Sequence, residues 1–223
     1  MSAAERFRIA VFASGGGSNL GALLERFPPG GEREVALVVS DRADAGALAR
    51  ASAAGVPTRV VRPRDFATPE EYSLRLVGLL RDNGIDLIVL AGFLRKVPAG
   101  VVEAFPFRVV NVHPALLPRF GGEGMYGERV HAAVLAAGER ESGASVHFVD
   151  AEYDRGPVIV QARVPVLPED TPASLARRVL EEEHRLLPEV VDLIASGRVS
   201  VAADGTVVVR RDASAAAAGK EAP

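Results

Sequence analysis

Short apolar runs alternate with helix-like stretches along the first half of the chain. Arg8-Ile9-Ala10-Val11-Phe12-Ala13, Val35-Ala36-Leu37-Val38-Val39 and Ile85-Asp86-Leu87-Ile88-Val89-Leu90 are almost continuously apolar, and Pro57 to Val61 reads as a short strand. The apolar runs have the pattern of strands buried on both faces. Between them, Leu20 to Phe27, Ala45 to Ala54 and Pro69 to Asn83 read as helices, the last with Thr68 as N-cap and Gly84 just beyond its end. Phe107-Arg108-Val109-Val110 reads as another strand leading into Asn111-Val112-His113, where Pro114 ends the extended run because it cannot donate to a ladder. The alternation predicts a doubly wound, mostly parallel α/β sheet with helices on both faces.

The rhythm then changes. A glycine-rich loop, Gly121 to Gly127, precedes a helix from Glu128 to Ala137. Ala144 to Val149 and Val158 to Pro165 read as strands joined directly by the polar loop Asp150 to Pro157, so the second half adds antiparallel strands to the sheet. Thr171-Pro172 opens a long helix to about Ala195, and Arg198 to Val209 reads as a hairpin turning at Asp204-Gly205. Residues 7–210 are expected to form one domain, with a short tail at 1–6 and a disordered, alanine-rich tail at 211–223.

Composition narrows the chemistry more than the fold. A net charge of -3 gives no general basic field for nucleic acid or anionic lipid. The absence of cysteine removes disulfides, thiolate metal sites and cysteine nucleophiles. Met1 to Arg6 lacks the apolar core of a signal peptide and no run is long enough to span a bilayer, so cytoplasmic residence is expected. No histidine pair has helical ligand spacing, and no metal is expected.

Parallel sheets bind ligands beyond the carboxyl ends of their strands, which directs attention to the strand ends. Ser14-Gly15-Gly16-Gly17-Ser18-Asn19 lies between a strand and a helix. Glycines let backbone approach an anion, and the helix start adds free N–H groups and a positive dipole end, so a phosphate is the natural ligand. The spacing fits neither a dinucleotide fingerprint nor a Walker loop. Asn111 and His113, two apart, emerge on the same side of their strand and suit a site that polarises a carbonyl and moves a proton. Asp154 stands out because Arg155-Gly156-Pro157 forces a turn there; beside His113 it would favour the imidazolium. The other histidines read as structural: His131 as a surface or helix-packing residue, His147 as a satisfied strand residue, and His184 on a charged face behind Glu181-Glu182-Glu183.

Taken in order, Ser14 to Leu20, Leu90-Ala91-Gly92-Phe93-Leu94-Arg95, Asn111-Val112-His113-Pro114-Ala115-Leu116-Leu117-Pro118, Gly143 to Val149 and Asp154 to Ile159 resemble the folate-dependent glycinamide ribonucleotide formyltransferases. The resemblance covers roughly residues 7–205 and implies a Rossmann-like formyltransferase fold. It implies a catalytic set of Asn111, His113 and Asp154, and a ribose-phosphate site at Gly17, Ser18 and Asn19. It assigns Glu183 to the amine substrate. Folate would be held by Leu94, Arg95, Lys96 and Val97, by Asn111, and by the closing loop Asp150, Ala151, Glu152, Tyr153 and Asp154. Residues 7–105 become the phosphate-binding half and 106–210 the folate and catalytic half. The implied reaction takes the formyl group of the co-substrate 10-formyltetrahydrofolate to glycinamide ribonucleotide in purine synthesis. The partners are small molecules, in a monomer or homodimer. The chain departs from the family pattern at Pro69, where a family member carries an arginine near the folate, and in the loop Arg119 to Gly127. Formyltetrahydrofolate hydrolysis, another formyl-folate transfer, or phosphometabolite binding without catalysis are the alternatives.

Overall fold

The structure, a computed structural model, describes residues 6–210; of the expected tails at 1–6 and 211–223, residues 1–5 and 211–223 lie outside the described residues. In chain order the elements are β1 (Phe7–Phe12), α1 (Ser18–Arg26), β2 (Arg33–Ser40), α2 (Gly46–Ala53), β3 (Thr58–Val60), a 3-10 turn (Pro63–Asp65) and α3 (Pro69–Asp82). They continue with β4 (Leu87–Leu90), α4 (Ala99–Ala104), β5 (Val109–His113), α5 (Glu128–Ala136), β6 (Glu141–Phe148), β7 (Val158–Pro165), α6 (Pro172–Ala195), β8 (Val199–Val201) and β9 (Val207–Val209).

The main sheet runs β3-β2-β1-β4-β5-β6-β7. Strands β1 to β5 pair in parallel, whereas β5-β6 and β6-β7 pair antiparallel, as the change of rhythm along the chain predicts. Alternate residues of β1 face opposite layers. Ile9 and Val11 pack with Leu20 and Leu23 of α1, Ala47 and Ala51 of α2, and Leu186 and Val190 of α6. Ala10 and Phe12 pack with Leu76 and Leu80 of α3 and Val101 of α4. Both sides of the strand are therefore dry, which is why its sequence shows no polar alternation. Capping also follows the sequence: the Thr68 hydroxyl accepts from the Glu71 N–H at 3.2 Å, and Thr171 and Ser174 form a reciprocal box at the start of α6.

Several element limits differ from expectation for local reasons. The strand expected from Phe107 begins at Val109, because Phe107 has a φ of 54°, a left-handed conformation that no strand can use. Its ring instead meets Phe148 edge-on, with centroids 5.6 Å apart. Helix α4 is too short to display a helical period in the sequence. Strand β6 begins at Glu141 rather than Ala144, since Glu141 to Gly143 extend the ladder against Pro165 to Arg163.

Two features of this topology position a site. The chain winds outward from β1 to β3 and then returns to β4 on the other flank of β1, creating a switch point between β1 and β4. The antiparallel register of β5 on β6 sets Asn111 opposite His147 and His113 opposite Ser145.

Candidate active site

A cavity of about 770 Å³ opens at this switch point. Its lining joins the glycine loop (Gly15, Ser18, Asn19), the segment after β4 (Gly92 to Val97), the end of β5 (Asn111, His113) and the segment after β6 (Asp150, Glu152, Tyr153, Asp154). Every catalytic and folate residue expected from the sequence lines it except Ala151; of the phosphate and amine set, Ser18, Asn19 and Glu183 line it and Gly17 does not.

At the glycine loop, Gly17 is the N-cap of α1 with a φ of 74°. A Cβ there would lie 2.8 Å from both the Cα and the Cβ of Ala47, so conformation and contact both demand glycine. The Ala47 N–H donates to the Gly15 carbonyl at 3.0 Å, which pins the loop against α2. No side chain caps α1, leaving its start to other acceptors. Ser14 faces away from this opening. Its hydroxyl donates to Asp41 at 2.6 Å and accepts from the Leu94 N–H at 3.0 Å, tying the loop to the segment after β4.

The Asn19 side chain turns inward, where its amide donates to Glu183 at 2.6 Å. Both residues are buried, and the Asn19 carbonyl oxygen has no hydrogen-bond partner among the described residues. Burial pushes the Glu183 carboxyl up to about 7, an effect the Asn19 hydrogen bond only partly offsets. Glu183 thus departs from the solvated face that its neighbours Glu181 and Glu182 suggested.

At the end of β5, three side chains gather around Asp154. The Asn111 amide donates to Asp154 Oδ1 at 3.3 Å and contacts His147 Nε2 at 3.1 Å. His113 Nδ1 lies 3.4 Å and His147 Nε2 3.5 Å from the carboxylate, which also accepts from the Gly122 N–H at 2.9 Å. Asp154 itself has a φ of 54°, a conformation that aspartate tolerates better than most residues. The chain regains the sheet through Gly156, where a Cβ would sit 1.9 Å from the Phe148 carbonyl oxygen. That close passage is what the Arg155-Gly156-Pro157 signal marks in the sequence.

The protonation pattern follows from the partners. His113 Nε2 lies 2.8 Å from the Phe120 carbonyl, an acceptor only, so it carries a proton. His113 Nδ1 faces the Asp154 carboxylate at 3.4 Å. Burial lowers the His113 pKa, and the nearby Asp154 charge opposes this without overcoming it. The expectation that Asp154 raises the His113 pKa is thus corrected: desolvation of the ring outweighs the carboxylate's field. Burial alone would raise the Asp154 carboxyl, but the His147 and His113 rings beside it and the Gly122 N–H hold it below its ordinary value. His147 points Nδ1 at the Phe148 carbonyl at 2.8 Å, which leaves Nε2 to accept from Asn111.

His147 is the satisfied strand histidine the sequence suggests, with partners on both ring nitrogens, and it also stands beside Asn111 and Asp154. Its signal was an imidazole inside an apolar strand, but only the β5–β6 register puts it opposite Asn111. His131 also lines the cavity; it is buried, its Nδ1 has no partner among the described residues, and burial lowers its pKa. Asp41, at the end of β2, was not foreseen either; its carboxylate takes both Ser14 and the Arg95 guanidinium, the latter at 3.2 Å.

A doubly wound sheet whose switch-point cavity joins a glycine loop to an amide, two imidazoles and a carboxylate has the architecture of a small-molecule enzyme. The chain belongs to the formyl transferase family, whose model matches residues 7–191. It is 44% identical over 211 residues to the chloroplastic phosphoribosylglycinamide formyltransferase of Arabidopsis thaliana, covering 92% of this chain and 71% of that protein. It is 41% identical over 200 residues to the trifunctional purine biosynthetic protein adenosine-3 of Drosophila melanogaster, covering 88% of this chain but 14% of that protein. The crystal structure of glycinamide ribonucleotide transformylase 1 from Symbiobacterium toebii superposes with a TM-score of 0.85 at 40% identity, covering 94% of this chain and 96% of that one. Among the described residues, no helix is long and apolar enough to cross a membrane.

Proposed function

We propose that this chain transfers the formyl group of 10-formyltetrahydrofolate to the amine of glycinamide ribonucleotide, giving formylglycinamide ribonucleotide and tetrahydrofolate. The observation that carries the reading is the gathering of Asn111, His113 and His147 on Asp154, in the same cavity as the glycine loop and Glu183. A phosphate anchor alone would serve a binding protein; an acceptor carboxylate flanked by amide and imidazole serves acyl transfer.

The nucleotide phosphate meets the start of α1 at Gly17, Ser18 and Asn19, where free N–H groups and the helix dipole favour an anion. Glu183 faces the amine. The folate lies along Leu94 to Val97 and under Asp150 to Asp154. Residues 7–105 thus supply the phosphate loop and one wall of the folate site, and residues 106–210 supply the catalytic groups.

The neutral amine attacks the formyl carbon, and the oxygen becomes an oxyanion. Asn111 and His113 donate to it, a stabilisation worth roughly 3–4 kcal/mol per well-aimed donor. Their hydrogens are held by Asp154, His147 and the Phe120 carbonyl in the unliganded chain, so the formyl oxygen must displace one acceptor for each donor. Asp154 and His113 Nδ1, 3.4 Å apart, form a proton-accepting pair. Through it the proton leaving the attacking nitrogen reaches folate N10. Anchoring the phosphate fixes the amine relative to the formyl carbon, an entropic contribution.

The enzyme works as a cytoplasmic monomer or homodimer on small molecules, without metal or nucleic acid. Incubation with 10-formyltetrahydrofolate, with and without glycinamide ribonucleotide, tests the reading. Formylated nucleotide is expected. Free formate without nucleotide product would mean hydrolysis, and ligand binding without turnover would mean a regulator.

A further inference from the structure

We infer that Asp41 is a positioning residue for the transfer step: with Ser14 it locks the phosphate loop to the folate-facing segment after β4, and so sets the distance between the two bound substrates. The inference rests on the formyl-folate reading above and assigns a function to a carboxylate outside the cavity.

The sheet order places β2, β1 and β4 side by side, so their carboxyl ends form one row. Asp41 follows β2, Ser14 follows β1, and Leu94 and Arg95 follow β4. Along that row the Asp41 carboxylate accepts from the Ser14 hydroxyl at 2.6 Å and from Arg95 Nε at 3.2 Å. The Ser14 oxygen in turn accepts from the Leu94 N–H at 3.0 Å, and the Ser14 N–H donates to the Gly92 carbonyl at 3.0 Å. A hydroxyl has a single hydrogen. Asp41 takes it, which leaves the lone pairs of the oxygen for Leu94. The Asp41 side chain is 5% exposed and Ser14 2%. Burial makes an unbonded charge or hydroxyl costly here, so the bridge holds one arrangement.

Each end of the bridge carries one wall of the site. Ser14 runs directly into the phosphate loop, which the Ala47 N–H pins to α2 through the Gly15 carbonyl at 3.0 Å. Asp41 opens the turn into that same helix, where a Cβ on Gly46 would lie 3.2 Å from the Gly16 Cα. Leu94 and Arg95 line the cavity on the folate side, whereas neither Asp41 nor Ser14 lines it. The carboxylate therefore acts through the walls and not on the substrates. Its neighbour Arg42 stands apart from the bridge, paired with exposed Asp44 at 3.0 Å. The nucleotide is anchored at one end of the bridge and the folate at the other. A misplacement of about 1 Å between reacting groups costs up to about 100-fold in rate.

The test measures kcat and both KM values in the full-length enzyme for Asp41→Asn, Ser14→Ala and the double variant. Asparagine has one acceptor oxygen where the bridge uses two. Each single variant should lower kcat by about tenfold or more, with both KM values changed by less than about threefold. Because both changes cut one bridge, the double variant should match the slower single variant within about twofold. Asp44→Ala, on the same turn but off the bridge, should keep wild-type kcat. Wild-type kcat in Asp41→Asn would overturn the inference, as would losses that multiply in the double variant or a defect confined to KM. An Asp44→Ala loss equal to that of Asp41→Asn would trace the effect to the turn and overturn it too. If Asp41→Asn does not fold, Ser14→Ala carries the same test, and wild-type turnover there sinks the idea. All these outcomes leave the reaction standing. A wild type that forms no formylated nucleotide overturns the proposed function itself, and the role of the bridge in transfer with it.

Discussion

The two ends of the cavity are built from different materials. At the glycine loop the working parts are backbone: a left-handed Gly17 lodged on Ala47 and a helix start with no side-chain cap. At the end of β5 they are side chains, three of which share the Asp154 carboxylate across an antiparallel ladder. A backbone site is indifferent to side-chain chemistry and intolerant of volume. A side-chain cluster tolerates volume but depends on where charge and protons lie. The parallel half of the sheet supplies the first and the antiparallel addition the second.

The largest effects should come from the cluster. Asn111→Ala and His113→Ala should each lower kcat by at least ~100-fold, with the KM for folate changed only a few-fold. Asp154→Asn, which keeps volume and removes charge, should be comparably damaging although it leaves the loop conformation intact. Steady-state kinetics with both substrates decides this. Near-wild-type turnover in either alanine variant would remove that residue from the mechanism, and a kinetically silent Asp154→Asn would show that shape matters at this end after all.

The glycine loop should respond in the opposite currency. Gly17→Ala changes no charge, yet it forces a Cβ into Ala47 and into a left-handed conformation, about 2–5 kcal/mol of strain and overpacking. Denaturant midpoints should fall accordingly, and the KM for the nucleotide should rise by more than kcat falls. A stable Gly17→Ala enzyme with an unchanged nucleotide KM would mean that the loop has room the contacts deny.

The same contrast governs what could be read from sequence. The parallel half was legible because burial on both faces writes itself as apolar runs, and caps such as Thr68 and Thr171 are local signals. Asn111 and His113 were legible as a pair because strand parity fixes their common side. His147 was not, since its meeting with Asn111 depends on a cross-strand register that no local pattern encodes. Nor was the direction of the His113 pKa shift, because desolvation and the Asp154 field oppose each other and only three-dimensional burial sets the balance. Glu183 shows the same limit: in a run of glutamates, nothing local says which one turns inward.

Glu183 is also where the contrast can be sharpened most finely, because it places one titrating side chain at the backbone end. Its carboxyl is raised from 4.5 to about 7 by burial, so the folded chain holds this proton more tightly than the unfolded one. Stability should therefore be greatest below pH ~4.5 for this group's contribution and should fall as pH rises towards ~7, by up to about 3 kcal/mol. Glu183→Gln has no proton to lose, and its stability should stay level over that window where the wild type declines. The difference between the two denaturation profiles isolates the group from every other carboxylate. Parallel profiles would mean that Glu183 is solvated when ionised. The glycine-loop end would then be a backbone site without a titrating side chain of its own.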